Sequence, residues 1–156
     1  MYCGILPYTV VDGEIYLILG YETRGISEFG GTAESDNLMG EAVREFHEET
    51  HGLFIDLTSD MTLYKIYSDP KAIVYAYHLP DNVDYTCRVQ CYNNMTYFLR
   101  THNVETILGP SSGLFEKHYL KMYSIHDVPL KLCSYHFRKN FPVLQSAIQR
   151  FVTTNY

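Results

Sequence analysis

The sequence Gly40-Glu41-Ala42-Val43-Arg44-Glu45-Phe46-His47-Glu48-Glu49 carries four glutamates within nine residues. Apolar residues recur around it at helical spacing and Gly52 is typical of a helix cap, so the pattern predicts a helix over residues 38–51. On that helix all four carboxylates fall on one face, where like charges repel one another.

This acidic face has two interpretations. A solvated surface helix usually offsets such charges with Lys or Arg one turn away, but only Arg44 is present, on a neighbouring strip from which it could orient a carboxylate. Hard cations such as Mg²⁺ or Mn²⁺ prefer clustered carboxylate oxygens. We therefore favour a divalent metal site over an ordinary charged surface.

The chain before the helix has the patterns of a β-hairpin and a loop. β-Rich runs at residues 2–11 and 15–21 flank Asp12-Gly13, a dipeptide that favours the positive φ angles of hairpin turns. Residues 22–37 are rich in Gly and Ser and end in residue types that favour helix N-caps, which predicts a loop.

The chain after the helix is predicted to add strands and two helices. A turn-forming Ser-Asp-Pro separates two β-rich runs, and a later segment is ambiguous between helix and loop. In order, we predict strands at residues 62–67 and 72–79, the ambiguous segment at 81–103, a loop at 109–113, a strand at 119–125 and an amphipathic helix at 141–152. Strands interrupted by helices indicate an α/β (α+β) fold.

Two motifs around the acidic helix resemble the signature of the Nudix family. That signature begins with a glycine and a glutamate and ends with Arg-Glu, an aliphatic residue, any residue, Glu-Glu, any residue and Gly. This chain has Gly30-Gly31-Thr32-Ala33-Glu34-Ser35-Asp36, followed by Arg44-Glu45-Phe46-His47-Glu48-Glu49-Thr50-His51-Gly52-Leu53.

The chain departs from the signature at three points. Asp36 occupies the position of the first glutamate, and the loop is one residue short if Gly31 is the signature glycine. His51 occupies the position of the closing glycine, with Gly52 next, so the helix is expected to run one residue longer before its cap.

The resemblance implies a Nudix-like α/β/α sandwich with a mixed β-sheet, here as a single domain over residues 1–156. It also implies hydrolysis of a phosphoanhydride bond in a nucleoside diphosphate-linked substrate. As in the family, Glu45, Glu48 and Glu49 are expected to ligate Mg²⁺ or Mn²⁺, with the carbonyl of Gly31, or of Gly30, completing the first shell.

The family also suggests catalytic roles. Arg44 would brace the carboxylates through charge-assisted hydrogen bonds, and Glu48 would act in catalysis. A further glutamate ahead of the last strand often serves as base or extra ligand; Glu116 is preferred here to Glu105 or a helix glutamate. Glu41 is either a distal ligand or a solvated neighbour.

Gly30, Arg24 and Glu34 are candidates for substrate binding. Nucleoside triphosphates, dinucleoside polyphosphates, nucleotide sugars and a capped RNA 5′ end are all possible substrates. A diphosphoinositol polyphosphate is disfavoured because the basic residues are scattered. Four tyrosines in predicted strands could stack on a base, although core packing is the more frequent role of such residues: Tyr21, Tyr64, Tyr75 and Tyr77.

Two other functions remain open from the sequence. The chain could be a non-catalytic nucleotide-sensing module on the same fold, although its intact ligand glutamates argue against this. It could also be an acidic protein whose helix binds a basic partner, in which case its association would depend on salt and not on divalent metal.

The composition limits the class of protein. A formal net charge of −6 argues against non-specific binding of duplex nucleic acid. The four cysteines lack the spacing of a zinc site or a disulfide framework, and neither a signal peptide nor a membrane-spanning run is present. A cytoplasmic location and no membrane partner are therefore expected, and the chain could be a monomer or a homodimer.

Overall fold

The computed structural model describes residues 1–54, 61–81, 83–104 and 116–155. Within these ranges the strands are β1 (Tyr2–Val11), β2 (Glu14–Glu22), β3 (Gly25–Ser27), β4 (Phe29–Thr32), β5 (Leu63–Ser68), β6 (Ala72–His78) and β7 (Tyr119–Ser124). The helices are α1 (Leu38–Glu49), α2 (Tyr85–Thr101) and α3 (Tyr135–Asn155), with a short 3₁₀ turn at Leu130–Leu132.

The strands form one mixed sheet around β1. This strand pairs in parallel with β6 on one side, and on the other side its first half pairs with β4 and its second half with β2, both antiparallel. The predicted hairpin is confirmed: Asp12 and Gly13 have φ angles of 51° and 79°. The last residues of β2 pair with β3, and most of β2 pairs with β7, so the strand that follows residue 116 lies directly against β2.

Helices cover both faces of the sheet. Ala42 and Phe46 of α1 and Tyr92 of α2 pack with buried residues such as Ile18 and Phe29 on one face. The apolar side of α3 packs on the other face, against residues that alternate with those along the same strands. Burial of a large apolar side chain contributes about 1.5–3 kcal/mol, so both faces stabilise the sheet. The predicted α/β/α sandwich with a mixed sheet is confirmed.

Two predicted boundaries are wrong. Residues 22–37 are not a continuous loop, because β3 and β4 form there. Gly30 allows β4 to lie close to β1, since a Cβ on it would lie 2.4 Å from the carbonyl oxygen of Cys3. Helix α3 begins at Tyr135 rather than at residue 141, so Pro142 lies within the helix. The ambiguous segment is helical, as α2.

Helix α1 does not run on to His51, contrary to the expectation from the signature. It ends at Glu49, and His51 takes the left-handed conformation, with a φ of 54°, that a glycine usually supplies after a helix. The His51 ring stacks on Tyr92, with ring centroids 4.7 Å apart, and this packing against α2 offsets the cost of a positive φ. Glu105 and the loop predicted at 109–113 lie outside the described residues.

Candidate metal centre

The N-terminus of α1 is fixed close to the end of β4. The side chain of Asn37 accepts a hydrogen bond from the Gly40 N–H at 3.1 Å, which caps the helix. Gly31 then lies against the first acidic turns: a Cβ on it would lie 2.7 Å from the carboxylate of Glu45. A side chain at position 31 would therefore displace the Glu45 carboxylate from its place beside β4.

Arg44 holds three of the helix carboxylates. Its guanidinium donates to Glu41 at 2.9 Å, to Glu45 at 2.7 Å and to Glu48 at 3.1 Å. These charge-assisted hydrogen bonds, first among them the one that Arg44 donates to Glu41, raise the pKa of Arg44. The same bond from Arg44, together with one from Ser35, lowers the pKa of Glu41. Burial raises the pKa of Glu45, and Arg44 opposes that rise.

Glu49 lies apart from this arginine and points into the protein. It is 1% exposed, and its Oε2 accepts a hydrogen bond from the Gly30 N–H at 3.0 Å. Carboxylate oxygens of Glu22, Glu49 and Glu116 lie within 4.8 Å of one another. Burial, followed by the proximity of Glu116 and Glu22, raises the pKa of Glu49 well above its ordinary value, with Lys117 opposing this rise. We refer to Glu22, Glu49 and Glu116 as the acidic triad.

The oxygen donors at this centre fit a hard divalent cation. The triad supplies three carboxylates, of which one is buried and one is exposed, and Glu48 has a side chain that is 42% exposed within the Arg44 cluster. Mg²⁺ and Mn²⁺ prefer such all-oxygen sites and commonly keep water in their coordination shell. A partly open carboxylate cluster of this kind leaves room for that water.

The structure groups most of the predicted site residues. The helix glutamates, Arg44, Gly30 and Gly31 lie at the junction of β4 and α1, and Glu116 joins Glu49. Arg24 is a neighbour of the triad, with its Nε 3.8 Å from Glu22 and a side chain that is 83% exposed. Glu34 is exposed on the loop between β4 and α1.

Glu22 was not identified from the sequence. It ends β2, far along the chain from the other acids, and reaches the triad because β2 pairs with β3 and β7. Among the tyrosines considered for base stacking, Tyr75 and Tyr77 are buried and Tyr64 stacks on Phe151. Tyr21 is exposed and stacks on Tyr119, with centroids 5.1 Å apart.

Comparisons with known proteins identify the fold. No family model matches the sequence, and no curated protein matches it. Among solved structures, the Ap4A hydrolase of C. elegans aligns over 97% of this chain and 96% of its own, with a TM-score of 0.54 and 14% identity. A Listeria monocytogenes protein described as a Nudix hydrolase aligns over 97% and 96%, with a TM-score of 0.57 and 11% identity.

A third structure with the same fold is Shewanella oneidensis NrtR in complex with a 27mer DNA. It aligns over 96% of this chain and 62% of its own, with a TM-score of 0.51 and 11% identity. Together these likenesses show that the chain has the Nudix fold, which confirms the resemblance first seen around Arg44 to Glu49. No membrane-crossing helix, long and apolar enough for a bilayer, occurs in the part of the chain that the structure describes.

Proposed function

We propose that this protein is a metal-dependent hydrolase that cleaves a phosphoanhydride bond in a nucleoside diphosphate-linked substrate. The observation that carries the proposal is the convergence of Glu49 of α1 with Glu22 and Glu116 beside Gly30, on a Nudix fold, with the Glu45 carboxylate against Gly31. A cytosolic site of action is part of the proposal, since all four cysteines are unpaired.

Glu45, Glu48 and Glu49 would hold Mg²⁺ or Mn²⁺, with the Gly31 carbonyl and Glu22 as further oxygen donors. A divalent ion bound there neutralises charge on phosphate oxygens and makes water a better nucleophile near neutral pH. The protein's own contribution is to fix the carboxylates in advance. Arg44 does this for the exposed side of α1, through its bonds to Glu45 and Glu48.

Glu116 is our candidate for the general base. It is exposed at the edge of the triad, whereas Glu49 is buried, so Glu116 is the member that water and substrate can reach. A base must be within hydrogen-bond reach of the proton that it removes. Glu116 would meet that condition for a water held by a metal at the acidic triad, because its carboxylate lies within 4.8 Å of those of Glu22 and Glu49.

The substrate class is proposed from the fold and the surroundings of the triad. The likeness to an Ap4A hydrolase makes dinucleoside polyphosphates the first compounds to test, ahead of nucleoside triphosphates, nucleotide sugars and capped RNA. Arg24 is an exposed cation beside Glu22 and is proposed to contact a substrate phosphate. Gly30 and Glu34 are the other residues that we propose for substrate binding.

The test is release of nucleotide or phosphate from this panel with Mg²⁺, with Mn²⁺ and with EDTA. We expect metal-dependent release, and a loss of about 100-fold or more in kcat for Glu48→Gln. Asp127→Asn is the matched control: it also removes one exposed negative charge, but from the turn after β7, at the opposite end of that strand from Glu116.

The result that would contradict the proposal is metal-independent release, or no release from any compound. If nucleotide bound without being hydrolysed, the non-catalytic sensing module would be favoured. The likeness to NrtR, solved with DNA, shows that this fold also occurs in a protein that binds nucleic acid.

A further inference from the structure

Lys117 has a buried side chain in the middle of an acidic site. The residue is 1% exposed, although a lysine is rarely buried without partners for its amine. Its Nζ donates to the Ser27 hydroxyl at 2.8 Å and to the Glu28 carbonyl at 3.0 Å, and lies 3.7 Å from a carboxylate oxygen of Glu22. The amine therefore has three oxygen neighbours, and the charged one belongs to the acidic triad.

The fold makes room for this side chain. A Cβ on Gly20 would lie 2.6 Å from Cδ of Lys117, so the aliphatic stem crosses β2 at the one residue there without a side chain. The ring of Phe29 lies under the amine, with 5.5 Å between Nζ and the ring centroid. These contacts make a site that fits a long side chain ending in a cation.

The backbone around Lys117 is also held on two sides. The His118 N–H donates to the Tyr21 carbonyl at 2.7 Å, which joins the segment to β2, and the Tyr92 hydroxyl of α2 donates to the Lys117 carbonyl at 3.4 Å. Glu116 immediately precedes this segment. The amine of Lys117 and the backbone on either side of it thus bring Glu116 and Glu22 to the same place.

We propose that Lys117 is a positioning residue whose buried ammonium acts as an internal cation, holding Glu22, Glu49 and Glu116 together until a divalent metal binds. Without a positive charge, three carboxylates within 4.8 Å would repel one another and separate. With the ammonium present, the carboxylates stay close in the absence of metal. Without it, a divalent metal is the cation that relieves their repulsion, so metal binding should stabilise the fold more. The inference rests on the proposed function in one respect, the binding of a divalent metal at this site. It does not depend on the proposed hydrolysis.

The experiment measures thermal unfolding in EDTA and in Mn²⁺ for the full chain and for Lys117→Met, which removes the charge but keeps most of the stem. In EDTA we expect Lys117→Met to melt several degrees lower. Mn²⁺ should replace the missing positive charge, so it should raise the Tm of Lys117→Met by about 2–4 °C more than that of the parent chain.

The control is Lys121→Met, the same substitution within β7. The Lys121 amine lies over Tyr123, which packs on the sheet face that α3 covers. Its Mn²⁺-induced shift should equal that of the parent chain. If Lys117 only fills space, Lys117→Met should lose the same Tm in EDTA and in Mn²⁺, and that result would overturn the inference. The absence of a Mn²⁺-induced Tm shift in every variant would overturn it as well.

Two further variants keep the inference testable if Lys117→Met does not fold. Gly20→Ala keeps every charge but displaces the lysine stem, and should show the same Mn²⁺-reversible loss. Glu22→Gln added to Lys117→Met removes one repelling carboxylate, and should restore folding or raise the Tm in EDTA. If neither Gly20→Ala nor this double variant behaves as expected, the inference is overturned. No nucleotide is used, so absence of hydrolysis together with Mn²⁺ rescue would contradict only the proposed function.

Discussion

Asn93 of α2 completes the hydrogen bonding of the strand next to the acidic triad. Its Nδ2 donates to the Leu120 carbonyl at 3.0 Å, and its Oδ1 accepts from the Leu120 N–H at 2.7 Å. The other side of β7 pairs with β2, and Leu120 is 1% exposed. Asn93→Ala would therefore leave two buried backbone groups without these partners, three residues after Lys117.

The expected loss can be calculated from these contacts. Each hydrogen bond contributes about 1 kcal/mol net, so losing two costs about 2 kcal/mol, and more if the Leu120 groups stay dry. For a chain of this length, about 2 kcal/mol corresponds to a fall in Tm of roughly 4–8 °C. Alanine forms helices better than asparagine by up to about 0.7 kcal/mol, which offsets part of this loss.

Asn94→Ala is the matched control for this measurement. It makes the same substitution at the next position of α2, where the side chain is exposed, so it has the same helix-propensity gain without the contact to β7. We expect Asn93→Ala to melt well below Asn94→Ala, and hydrogen exchange at the Leu120 amide to accelerate in Asn93→Ala alone. Equal Tm values and equal exchange rates in the two variants would refute the reasoning.

Three other predictions follow from single contacts. Gly31→Ala should weaken Mn²⁺ binding in calorimetric titration, because its Cβ would displace the Glu45 carboxylate, whereas Tm in EDTA should change little. The Tyr67 hydroxyl, 2.6 Å from Asp69, holds the pKa of Asp69 below its usual value. Ionised Asp69 therefore stabilises the fold above about pH 4 and ceases to do so as the pH falls through its folded pKa. In urea unfolding, Asp69→Asn should have a lower free energy of unfolding than the parent chain at pH 7, and the two values should converge at low pH. Burial raises the pKa of Cys133 to about 11, so a thiol reagent at pH 8 should modify the two exposed cysteines of α2 long before Cys133.

The acidic face of α1 could be predicted from the sequence because helical geometry is local. Residues three and four apart on a helix are neighbours in any fold, so the bonds from Arg44 to Glu41 and Glu48 follow from spacing alone. The turn at Asp12-Gly13 is equally local, since its positive φ angles depend on two adjacent residues. These features determined the first hairpin, the helix and the resemblance to the Nudix signature.

The acidic triad depended on tertiary structure. Glu22 meets Glu49 and Glu116 only because β2 pairs with β7 over the register Tyr21 to Tyr119, and strand pairing between distant segments leaves no fixed spacing in the sequence. The same pairing buries Lys117, which the sequence presents as one more surface lysine. Sequence alone therefore determined the carboxylates that one helix aligns, whereas only the folded sheet decided which acids and which cation join them, because their proximity comes from long-range packing.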